Sequence, residues 1–593
     1  MRNRQRQEAC SANLGGIADG AAYDIVVVGG GGAGMAAALF SALEGQEVLL
    51  VERTTLLGGT TAFAAATTWM PASQHAASVG AEGDTLEKAA EFLRWTVGNH
   101  SSEAMRQAFL RHGPAAIARL EAETEVHFRA RPLHPDYIQE APGATLFGRA
   151  LEPLPFDGRR LGAAALALVR PPIPEFTVLG GMMVDKDDIP HLLAMTKSWA
   201  SFRHSAKLLG RYALDRLRHG RGTRLLMGNA LIGRLLASLL ARGVDILVDT
   251  KVEALERGER RVEGVVLSQG STRRRVAARR GVIMATGGFN RHPKRRAEML
   301  HAPTAEYSPA APGHTGEMHD LALSAGARYG EGALDSAFWA PVSVRRRADG
   351  STAVFPHLVM DRGKPGMVAV NKAGRRFVNE STSYHLFVQA MYKAHETVPS
   401  IPAFLITDSD GLRRYGLGMV RPGGRGLAPF LADSYLTEAP SLAEPAGRLG
   451  IDAAGLAETV ARMDEYAKTG TDPEFGRGTT AYHRSNGDAS RGLPNPNLGP
   501  IGAAPFYAVR LLPGDIGAAT GLVTDEDARV LGPDGRPIGG LYACGNDMQS
   551  VMGGVYPAPG ITIGPGIAFA YAAARHVAGH AQAVERPAPR EAA

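Results

Sequence analysis

The sequence predicts an α/β fold in which a Rossmann-like domain is built from both ends of the chain and an α+β domain is inserted between them. Three observations predict this fold. A strand–turn–helix–strand pattern begins at residue 23, and a second strand leads into a polar turn near residue 540. Between about 300 and 497 the pattern changes to short strands, Gly/Pro turns and a few helices. With 593 residues the chain is too long for one hydrophobic core, so several domains are expected.

A glycine-rich turn connects the first predicted strand, residues 23–28, to a helix of small residues at 35–44. Its sequence, Gly29-Gly30-Gly31-Gly32-Ala33-Gly34, satisfies G-x-G-x-x-G, and Glu52 ends the next strand about 20 residues later, as a dinucleotide site requires. We expect Gly29 to allow the turn, Gly31 to let the backbone approach a pyrophosphate, and Gly34 to allow close packing of helix on strand. The residues predicted to bind the cofactor in this unit are Gly29, Gly31, Ala33, Gly34 and Glu52. The alternative is a structural βαβ unit without a ligand.

Two further turns favour FAD over NAD. Residues 57–61 (Leu-Gly-Gly-Thr-Thr) follow the Glu52 strand and can bring backbone and hydroxyl groups against the phosphate and ribityl portion of a flavin. Residues 540–546 (Gly-Leu-Tyr-Ala-Cys-Gly-Asn) form a strand and polar turn that can close over the ribityl chain. Three separated segments that converge on one long cofactor predict FAD. With the strand end at 285–289 and the loop after 556, they add Gly59, Thr60, Thr61, Ala285, Thr286, Gly287, Gly545, Asn546 and Ile561 to the predicted cofactor-binding residues.

Composition excludes several classes of function. The net charge of +6 is spread along the chain and not interleaved with aromatic residues, so no nucleic-acid partner is expected. The two cysteines, Cys10 and Cys544, form neither a disulfide framework nor a metal-ligand spacing, which predicts no metal site and a reducing cytoplasm. No signal-peptide core and no apolar run of about 18 residues is present, so we expect a cytoplasmic protein.

These patterns divide the chain into five parts. They are a flexible tail at 1–22, the first part of the FAD-binding domain at 23–300 with a helical insertion at about 84–240, a catalytic domain at 301–497, the second part of the FAD-binding domain at 498–580, and a flexible tail at 581–593.

Six stretches resemble the fumarate reductase/succinate dehydrogenase flavoprotein superfamily, and more closely its 3-ketosteroid Δ1-dehydrogenase branch. They are residues 26–34, 58–71, 285–289, 371–384, 403–419 and 513–566. The resemblance implies an FAD domain assembled from both chain ends with a catalytic domain between them. No His stands where covalent flavin attachment is expected, so the FAD is predicted to be non-covalent.

One position distinguishes the branches. Fumarate reductases of this superfamily have the pattern Arg-Phe-x-Asn-Glu followed, four residues after the Glu, by a catalytic Arg. This chain has Arg376-Phe-Val-Asn-Glu380, and Tyr384 stands where that Arg is expected. The His that precedes a later Gly-Gly turn in the reductases is also missing from residues 514–522. Because a dicarboxylate site needs cations, fumarate chemistry is disfavoured.

A proline-rich loop supplies the second distinguishing motif. The run Tyr556-Pro557-Ala558-Pro559-Gly560 resembles the Tyr-Pro-x-Pro-Gly loop that holds the C3 carbonyl of the substrate in ketosteroid dehydrogenases. The prolines have no N–H and cannot pair within a central strand, which leaves the Gly560 N–H free to point at a ligand. With the Tyr556 hydroxyl it would place two donors on one carbonyl oxygen, as an oxyanion hole does.

The resemblance then assigns the remaining catalytic roles. Polarising the ketone acidifies the neighbouring C–H, and Tyr384 is the base that removes that proton. Tyrosine has a pKa near 10 and needs help at neutral pH, and Tyr137 is the candidate helper. The flavin N5 would accept the hydride. The predicted catalytic residues are Tyr384, Tyr556, Gly560 and Tyr137.

The predicted function is FAD-dependent dehydrogenation of a cyclic ketone, with 1,2-desaturation of a 3-oxosteroid as the first interpretation. Two alternatives stay open. Gly554, Val555 and Ala558 depart from the family pattern close to the site, which leaves room for a Δ4-(5α)-dehydrogenase or a reductase of another cyclic enone. A flavin-binding electron-transfer subunit is the alternative from another class. The expected partners are a hydrophobic small molecule and an electron acceptor (quinone, dye or oxygen) that the sequence does not identify.

A basic segment between Lys197 and Arg224 contains eight Lys or Arg and one acid, Asp215. Arg203, Lys207 and Arg211 recur at i, i+4 on a predicted helix that also carries aromatic and Leu side chains. One interpretation is a peripheral membrane-surface helix near the point where a lipophilic substrate arrives. The other is a solvated basic face, which the sequence slightly favours.

Overall fold

The computed structural model describes residues 13–259 and 261–579. Its main sheet has eight strands, and segments from both parts of the chain lie side by side in it. Six of these strands lie side by side in the order Arg529–Leu531, Pro537–Ala543, Thr272–Met284, Ala21–Val28, Val48–Val51 and Asp245–Leu247. The other two extend from Thr272–Met284, which pairs with Val262–Gln269, and this strand in turn pairs with Lys251–Arg257. The predicted α/β fold with strands from both chain ends in one sheet is therefore confirmed.

The centre of the main sheet is parallel and fully buried. Ala21–Val28 pairs in parallel with Thr272–Met284 on one side and Val48–Val51 on the other, and its last four residues are inaccessible to solvent. Two helices of small residues, Gly32–Leu43 and Ile563–Val577, cover one face and pack against each other, with the rings of Phe40 and Tyr571 5.1 Å apart. The β-branched run was readable as a strand because both of its faces are buried.

A second, antiparallel sheet forms the core of the inserted region. Its strands are, in order, Thr352–Pro356, Ala337–Arg346, Phe506–Ala518, Ala403–Asp408 and Met367–Val370, with Thr437–Ala439 also pairing Phe506–Ala518. The central strand, Phe506–Ala518, lies beyond the limit predicted at 497 for this domain, so the predicted second part of the FAD-binding domain begins too early. Which sheet a strand joins depends on distant partners, which local sequence does not specify. The division into domains otherwise stays a prediction.

Helices occupy the rest of the described chain. In the predicted helical insertion they are Leu86–Val97, Glu103–Glu123, Ala163–Leu168, Asp188–Leu193, Trp199–His219 and Met227–Ala241. After it they are Pro293–Met299, Glu317–Ser324, Tyr384–His395, Ser409–Tyr415, Ala428–Ala432, Ala443–Leu449, Ala453–Thr469 and Ala481–Ser485. None of the helices within the described residues is both long enough and apolar enough to cross a bilayer.

The insertion also contains strands that the sequence did not suggest. A small three-stranded sheet is formed by Thr68–Trp69, Ala150–Pro153 and Phe128–Ala130, and a two-stranded one by Phe156–Asp157 and Arg224–Leu225.

The predicted tails are only partly described. Residues 1–12, with Cys10, and 580–593, with the tail predicted at 581–593, lie outside the described residues. Within the tail predicted at 1–22, Leu14–Gly16 forms a 3₁₀ turn, Leu14 is fully buried in the main core, and the first strand already begins at Ala21. The ordered chain therefore starts before residue 23.

A buried ion-pair network supports the small three-stranded sheet. Arg149 is 1% exposed, and its guanidinium donates to Asp84 Oδ1 at 2.6 Å and to Asp136 Oδ2 at 3.0 Å. The other oxygen of Asp136 accepts the indole N–H of Trp69 at 2.8 Å. Asp136 directly precedes Tyr137, so this network fixes the segment that carries one of the predicted catalytic residues.

Arg149→Met is expected to lower the free energy of unfolding by about 3–5 kcal/mol, because two buried carboxylates lose their cation. Urea unfolding followed by circular dichroism measures the change. The control is Arg159→Met, which removes an exposed partner of Asp157 and should move the midpoint little. Equal midpoints for the two variants would contradict the assignment of Arg149 to a structural network.

Candidate active site

One cavity connects the glycine-rich turn to three of the predicted catalytic tyrosines. The predicted cofactor residues that line it are Gly29, Gly31, Ala33, Glu52, Gly59, Thr60, Thr61, Ala285, Thr286, Gly287, Gly545 and Asn546. Tyr137, Tyr384, Tyr556 and Gly560 line the same cavity. Segments separated by hundreds of residues are thus brought together as the sequence predicted.

Two predicted cofactor residues do not line the cavity. A Cβ on Gly34 would lie 1.8 Å from the carbonyl oxygen of Gly29, so Gly34 serves helix–strand packing, the role that the sequence suggested for it. The side chain of Ile561 is 1% exposed and packs in the main hydrophobic core, while its neighbours Thr562 and Ile563 line the cavity. The side chain of Ile561 is therefore directed away from the cavity, and the role predicted for this residue in cofactor binding stays a prediction. The residue is apolar and the loop turns at Gly560, which directs Ile561 inward.

The glycine-rich turn has the geometry of a phosphate site. Gly29 has a φ of +114°, and a Cβ there would lie 2.3 Å from the Ala285 carbonyl oxygen, so only glycine fits. A Cβ on Gly31, in contrast, would meet no protein atom within 4 Å, because this residue faces the cavity. Gly31 caps the helix Gly32–Leu43, whose first N–H groups are directed to the same space.

Glu52 organises the adjoining turn. Its Oε2 accepts the N–H of Gly30 at 2.8 Å, and its Oε1 accepts both the N–H and the hydroxyl of Thr54, at 2.8 and 2.7 Å. The carboxylate lies on the cavity. At this position it can accept hydrogen bonds from the two hydroxyls of a ribose, as an acid does at this point of a dinucleotide-binding unit.

Two histidines in this half of the cavity were not found from the sequence. His314 approaches the hydroxyl of Thr60 through Nε2 at 3.1 Å and packs against Gly287, and burial lowers its pKa to about 4. His319 lies behind the cavity wall, where its Nε2 is 3.0 Å from Asp547 Oδ1. Neither occurs in a recognisable motif, so only the fold identifies them.

Asp547 anchors the turn at Thr286. It is fully buried and accepts the N–H and hydroxyl of Thr286 and, at 3.0 Å, the N–H of Gly288. Burial alone would raise its pKa, but the hydrogen bonds and the neighbouring His319 outweigh burial and lower it, so the group is a carboxylate. Asp547 follows Asn546 directly, and its place in the predicted turn was the signal that could have revealed it.

Four tyrosines meet at the other end of the cavity. The hydroxyl of Tyr137 donates to that of Tyr384 at 3.2 Å, and the ring of Tyr556 lies 5.9 Å from Tyr137 and 5.2 Å from Tyr384. Tyr137 is the predicted helper of Tyr384, and the structure brings the two hydroxyls into contact. Tyr482, which the sequence did not single out, packs against Tyr137 with ring centroids 4.6 Å apart and ring planes tilted by 46°.

Backbone contacts hold the proline-rich loop in position. The carbonyl of Pro557 accepts the N–H of Tyr137 at 2.8 Å, and the carbonyl of Gly560 accepts the N–H of Trp69 at 3.2 Å. Gly560 has a φ of +90°, and a Cβ there would lie 2.4 Å from the carbonyl oxygen of Thr67. Its own N–H donates to no acceptor within the described residues. Gly560 and Tyr556 both line the cavity, which is compatible with the predicted binding of a carbonyl oxygen by two donors.

Tyr384 is fixed by the Arg-Phe-x-Asn-Glu motif. Arg376 forms a two-point ion pair with Glu380 at 2.9 and 2.7 Å, and Asp472 and Arg477 complete a buried network around them. Ser383 caps the helix Tyr384–His395 by accepting the N–H of Leu386. The motif therefore has a structural task in this chain, since it sets where the helix begins and so where Tyr384 lies.

A buried cation lies behind the tyrosines. Arg362 is 1% exposed, and its guanidinium donates to the backbone carbonyls of His357, Leu358 and Glu380 and to no carboxylate side chain within the described residues. Burial lowers its pKa. Burial raises the pKa of Tyr137 well above 10, and the positive charge of Arg362 opposes this rise.

Burial dominates the acidity of the catalytic tyrosines. It raises the pKa of Tyr384 well above 10, and the neighbouring Tyr137 and Tyr556 raise it further. It also raises the pKa of Tyr556, an effect that the hydroxyls of Tyr384 and Thr562 partly offset. Tyr556 is therefore a protonated donor at neutral pH, as carbonyl binding requires, while Tyr384 acts as a base only with stabilisation from its surroundings.

The residues present fit FAD. The Cα of Gly31 is open to the cavity for a pyrophosphate, Glu52 stands at the expected ribose position, and the buried Nδ1 of His314 has no hydrogen-bond partner in the described part of the chain. Such an orphaned polar atom calls for a ligand partner. The described residues contain no group of three or more side chains able to hold a metal ion.

Gly34→Ala and Gly31→Ala are expected to separate folding from cofactor binding. In Gly34→Ala the added methyl group would collide with the Gly29 carbonyl, which should lower the free energy of unfolding by about 3 kcal/mol. In Gly31→Ala the added methyl group would project only into the cavity, so the protein should fold normally but retain less FAD. Urea midpoints and the FAD-to-protein absorbance ratio measure the two effects. Full FAD occupancy in Gly31→Ala would contradict the assigned pyrophosphate position.

Comparison with known proteins agrees with this geometry. The family model described as FAD binding domain matches residues 24–563. The chain is 37% identical over 527 residues to 4-oxocyclohex-2-ene-1-carboxylate 5-dehydrogenase of Sinomonas cyclohexanicum, covering 88% of each chain. It is 35% identical to a 3-oxosteroid 1-dehydrogenase of Mycobacterium tuberculosis, covering 86% of this chain and 90% of the relative.

A solved structure is also similar over almost the whole chain. It is the 3-ketosteroid Δ1-dehydrogenase from Sterolibacterium denitrificans in complex with 1,4-androstadiene-3,17-dione, with a TM-score of 0.87 and 34% identity, covering 94% of this chain and 100% of that one. The chain therefore belongs to the 3-ketosteroid Δ1-dehydrogenase branch of the FAD-binding fumarate reductase/succinate dehydrogenase superfamily, and it is an FAD-dependent oxidoreductase acting on CH–CH groups.

Proposed function

We propose that this protein removes two hydrogens from adjacent carbons next to the carbonyl of a cyclic ketone. The observation that carries the proposal is the convergence of two hydrogen-bond donors and a tyrosine pair on one cavity. The Tyr556 hydroxyl and the free Gly560 N–H are on one side of it, and the bonded Tyr137 and Tyr384 hydroxyls are beside them. Relatives with this activity on cyclic ketones, as their names state, support it.

The residues suggest a sequence of events. Tyr556 and Gly560 donate to the carbonyl oxygen, which stabilises the negative charge that develops there when the neighbouring carbon loses a proton. Tyr384 takes that proton on its hydroxyl oxygen, which lies 3.2 Å from the hydroxyl of Tyr137, and the nearby positive charge of Arg362 favours the anionic tyrosine that does so. FAD, when bound, supplies the acceptor for the hydride that leaves the next carbon. The product is a ketone conjugated to a new carbon–carbon double bond.

The identity of the ketone is the finer part of the proposal. A 3-oxosteroid desaturated between carbons 1 and 2 is the first candidate, since proteins named for that reaction are similar over most of the chain. A relative of comparable similarity is named for a 4-oxocyclohexene carboxylate. A Δ4-(5α)-dehydrogenase, or an enone reductase working in the opposite direction, uses the same groups, and product NMR separates these outcomes. The electron acceptor is to be sought among quinones, dyes and oxygen.

Tyr384→Phe should slow anaerobic flavin reduction by a cyclic ketone about 10²–10⁴-fold, because the base is lost. Tyr556→Phe should slow it about 10²–10³-fold, because one carbonyl donor is lost. Stopped-flow bleaching of the FAD absorbance, with a panel of 3-oxosteroids and smaller cyclic ketones, measures both. Tyr415→Phe is the control, since that hydroxyl bonds Asp488 at 2.7 Å away from the cavity. Unchanged rates in the first two variants would favour an electron-transfer subunit.

The pH dependence of the same reaction tests the role of Tyr384 separately. Because burial, Tyr137 and Tyr556 raise its pKa well above 10, the ionised fraction at neutral pH is small and grows about tenfold per pH unit. The rate of flavin reduction should therefore rise with pH, without a plateau between about pH 7 and 9. The pKa of Tyr556 is also raised, so loss of its proton should not reverse the trend in this range. A flat profile would exclude a tyrosine base.

We also propose that the helix Trp199–His219 contacts a membrane surface. Its inward side buries Ser205, Tyr212 and Asp215, while apolar side chains lie on the opposite, exposed side, with Trp199 76% and Leu217 85% exposed. Exposed Arg and Lys residues flank this apolar side, namely Arg203, Lys207, Arg216 and Arg218. An apolar stripe between cations matches the interface of an anionic bilayer, and it favours this interpretation over a solvated basic face.

Flotation with vesicles of phosphatidylserine and phosphatidylcholine tests this contact. Replacing Trp199 and Leu217 together with Ser should reduce the bound fraction about tenfold or more, since two exposed apolar side chains no longer enter the bilayer. Trp95→Ser is the control, because Trp95 is 55% exposed on another helix. Equal losses in both variants, or no binding by the unaltered protein, would contradict the proposal.

A further inference from the structure

The wall of the active-site cavity beside Tyr137 is basic. Arg129, Arg131 and Lys186 line it, and the acidic side chains that line the same region are Glu152 and Asp185. Asp185 pairs with Arg224 at 3.3 Å, outside the cavity lining. A neutral steroid or cyclohexanone gives such charges nothing to bind, so their presence on this wall needs another explanation.

The positive charges exceed what the carboxylates of this wall can neutralise. Glu152 is the ion-pair partner of Arg131, and its Oε2 is also 3.8 Å from the guanidinium of Arg129. One carboxylate thus serves two guanidinium groups. Lys186 forms no hydrogen bond or ion pair within the described residues, and its side chain is open to the cavity. Three cations therefore line this wall against two carboxylates.

His134 lies among these cations but does not add to their charge. Burial and the neighbouring charges of Lys186 and Arg131 lower its pKa to about 3, so its ring is neutral. Its Nδ1 is buried and has no partner among the described residues. A neutral imidazole with an unused nitrogen is available to hydrogen-bond a ligand that the cations attract.

The fold connects this basic wall to the carbonyl-binding loop. Arg129 and Glu152 face each other as a cross-strand pair in the small three-stranded sheet, whose third strand contains Trp69. The N–H of Trp69 bonds the Gly560 carbonyl, and His134 precedes Tyr137 by only three residues. A ligand held by the loop and one held by the basic wall therefore share a single cavity.

We propose that this wall is a binding site for a carboxylate carried by the ketone substrate, on a part of the molecule away from the reacting carbonyl. The inference rests on the proposed function and narrows it from cyclic ketones to anionic cyclic ketones. In this site Lys186 supplies an unpaired positive charge for the carboxylate, and Arg131 supplies a guanidinium that Glu152 already orients. His134 has an unused ring nitrogen that can hydrogen-bond the ligand. The carboxylate sits either directly on a small ring or on the side chain of a steroid.

The cations have no comparable function toward FAD. The predicted pyrophosphate position lies at Gly31 and the helix Gly32–Leu43, and the predicted ribose position at Glu52, and none of the three cations contacts these residues in the described part of the chain. Arg129, Arg131 and Lys186 belong instead to the insertion that also supplies Tyr137. They recognise what binds beside Tyr137, which is the substrate.

The test compares acids with their methyl esters on the FAD-loaded enzyme. The probes are 4-oxocyclohexanecarboxylate and its ester for a small ring, 3-oxo-4-cholenoate and its ester for a steroid acid, and 4-androstene-3,17-dione as a neutral steroid. Binding is read from the perturbed flavin absorbance, and turnover from anaerobic bleaching. One acid should bind about tenfold or more tightly than its ester, as expected for a charged hydrogen-bonded contact. The acid–ester pair that shows this difference identifies whether the substrate is a small cyclic keto acid or a steroid acid.

Lys186→Met should raise the dissociation constant and KM of that acid about tenfold, leave kcat little changed, and leave the ester unaffected. Lys186→Arg should restore most of the preference. Lys197→Met, which removes an exposed lysine outside the cavity, is the matched control.

Two failures can be distinguished. If esters and acids bleach the flavin equally well, or Lys186→Met weakens both equally, the carboxylate site is wrong and ketone dehydrogenation stands. If an acid binds in a Lys186-dependent manner but no ketone bleaches the flavin, the carboxylate site stands and the proposed function is wrong. If no acid perturbs the flavin and no ketone bleaches it, both are contradicted.

Discussion

The catalytic end of this molecule depends on one backbone hydrogen bond, from the N–H of Tyr137 to the carbonyl of Pro557, 2.8 Å long. It joins a segment of the helical insertion to a loop more than 400 residues later in the chain. Through it, the position of the Tyr137 hydroxyl relative to Tyr556 and Gly560 is set by main chain rather than by flexible side chains. The same two segments are braced from behind, because Asp136 is held by Arg149 and Trp69, and Trp69 in turn bonds Gly560. Such bracing is what a preorganised site requires, since donors must already point at the place where charge develops.

Much of the cofactor half could be predicted from local sequence. A buried strand, a glycine turn and an acid at fixed spacing form one short unit, and each glycine has a local steric reason, as Gly29 and Gly34 illustrate. The substitution of Tyr384 for arginine was equally visible, because it falls inside a motif. What local sequence could not supply were contacts made across the fold. His314, Arg362 and Tyr482 occur in no motif and become site residues only because distant strands place them there, and the membership of Phe506–Ala518 in the second sheet depends on non-local pairing.

Charge is distributed unevenly around the site, and each location has its own purpose. Beneath Tyr384, Arg376 and Arg477 are matched by Glu380 and Asp472, so the helix start is fixed without a net field. Arg362 is different, because its guanidinium donates to backbone carbonyls and to no carboxylate side chain within the described residues, and its charge opposes the rise in the pKa of Tyr137. The basic wall of the cavity beside Tyr137 is a third case, because cations outnumber carboxylates there and line the cavity. A balanced buried ion-pair network, a buried cation and an excess of cations on the cavity wall thus occupy different places around the tyrosines.

The strand order of the main sheet also affects how the protein is made. The strand Thr272–Met284 has as one neighbour Pro537–Ala543, and the helix Gly32–Leu43 packs on Ile563–Val577. During synthesis on the ribosome, the main sheet can therefore close only after the intervening region has been made. Asn546 and Gly560 follow that intervening region, so the cofactor turn and the proline-rich loop become available only after it has been synthesised. An incomplete nascent chain consequently has neither a closed flavin pocket nor the donors needed for catalysis.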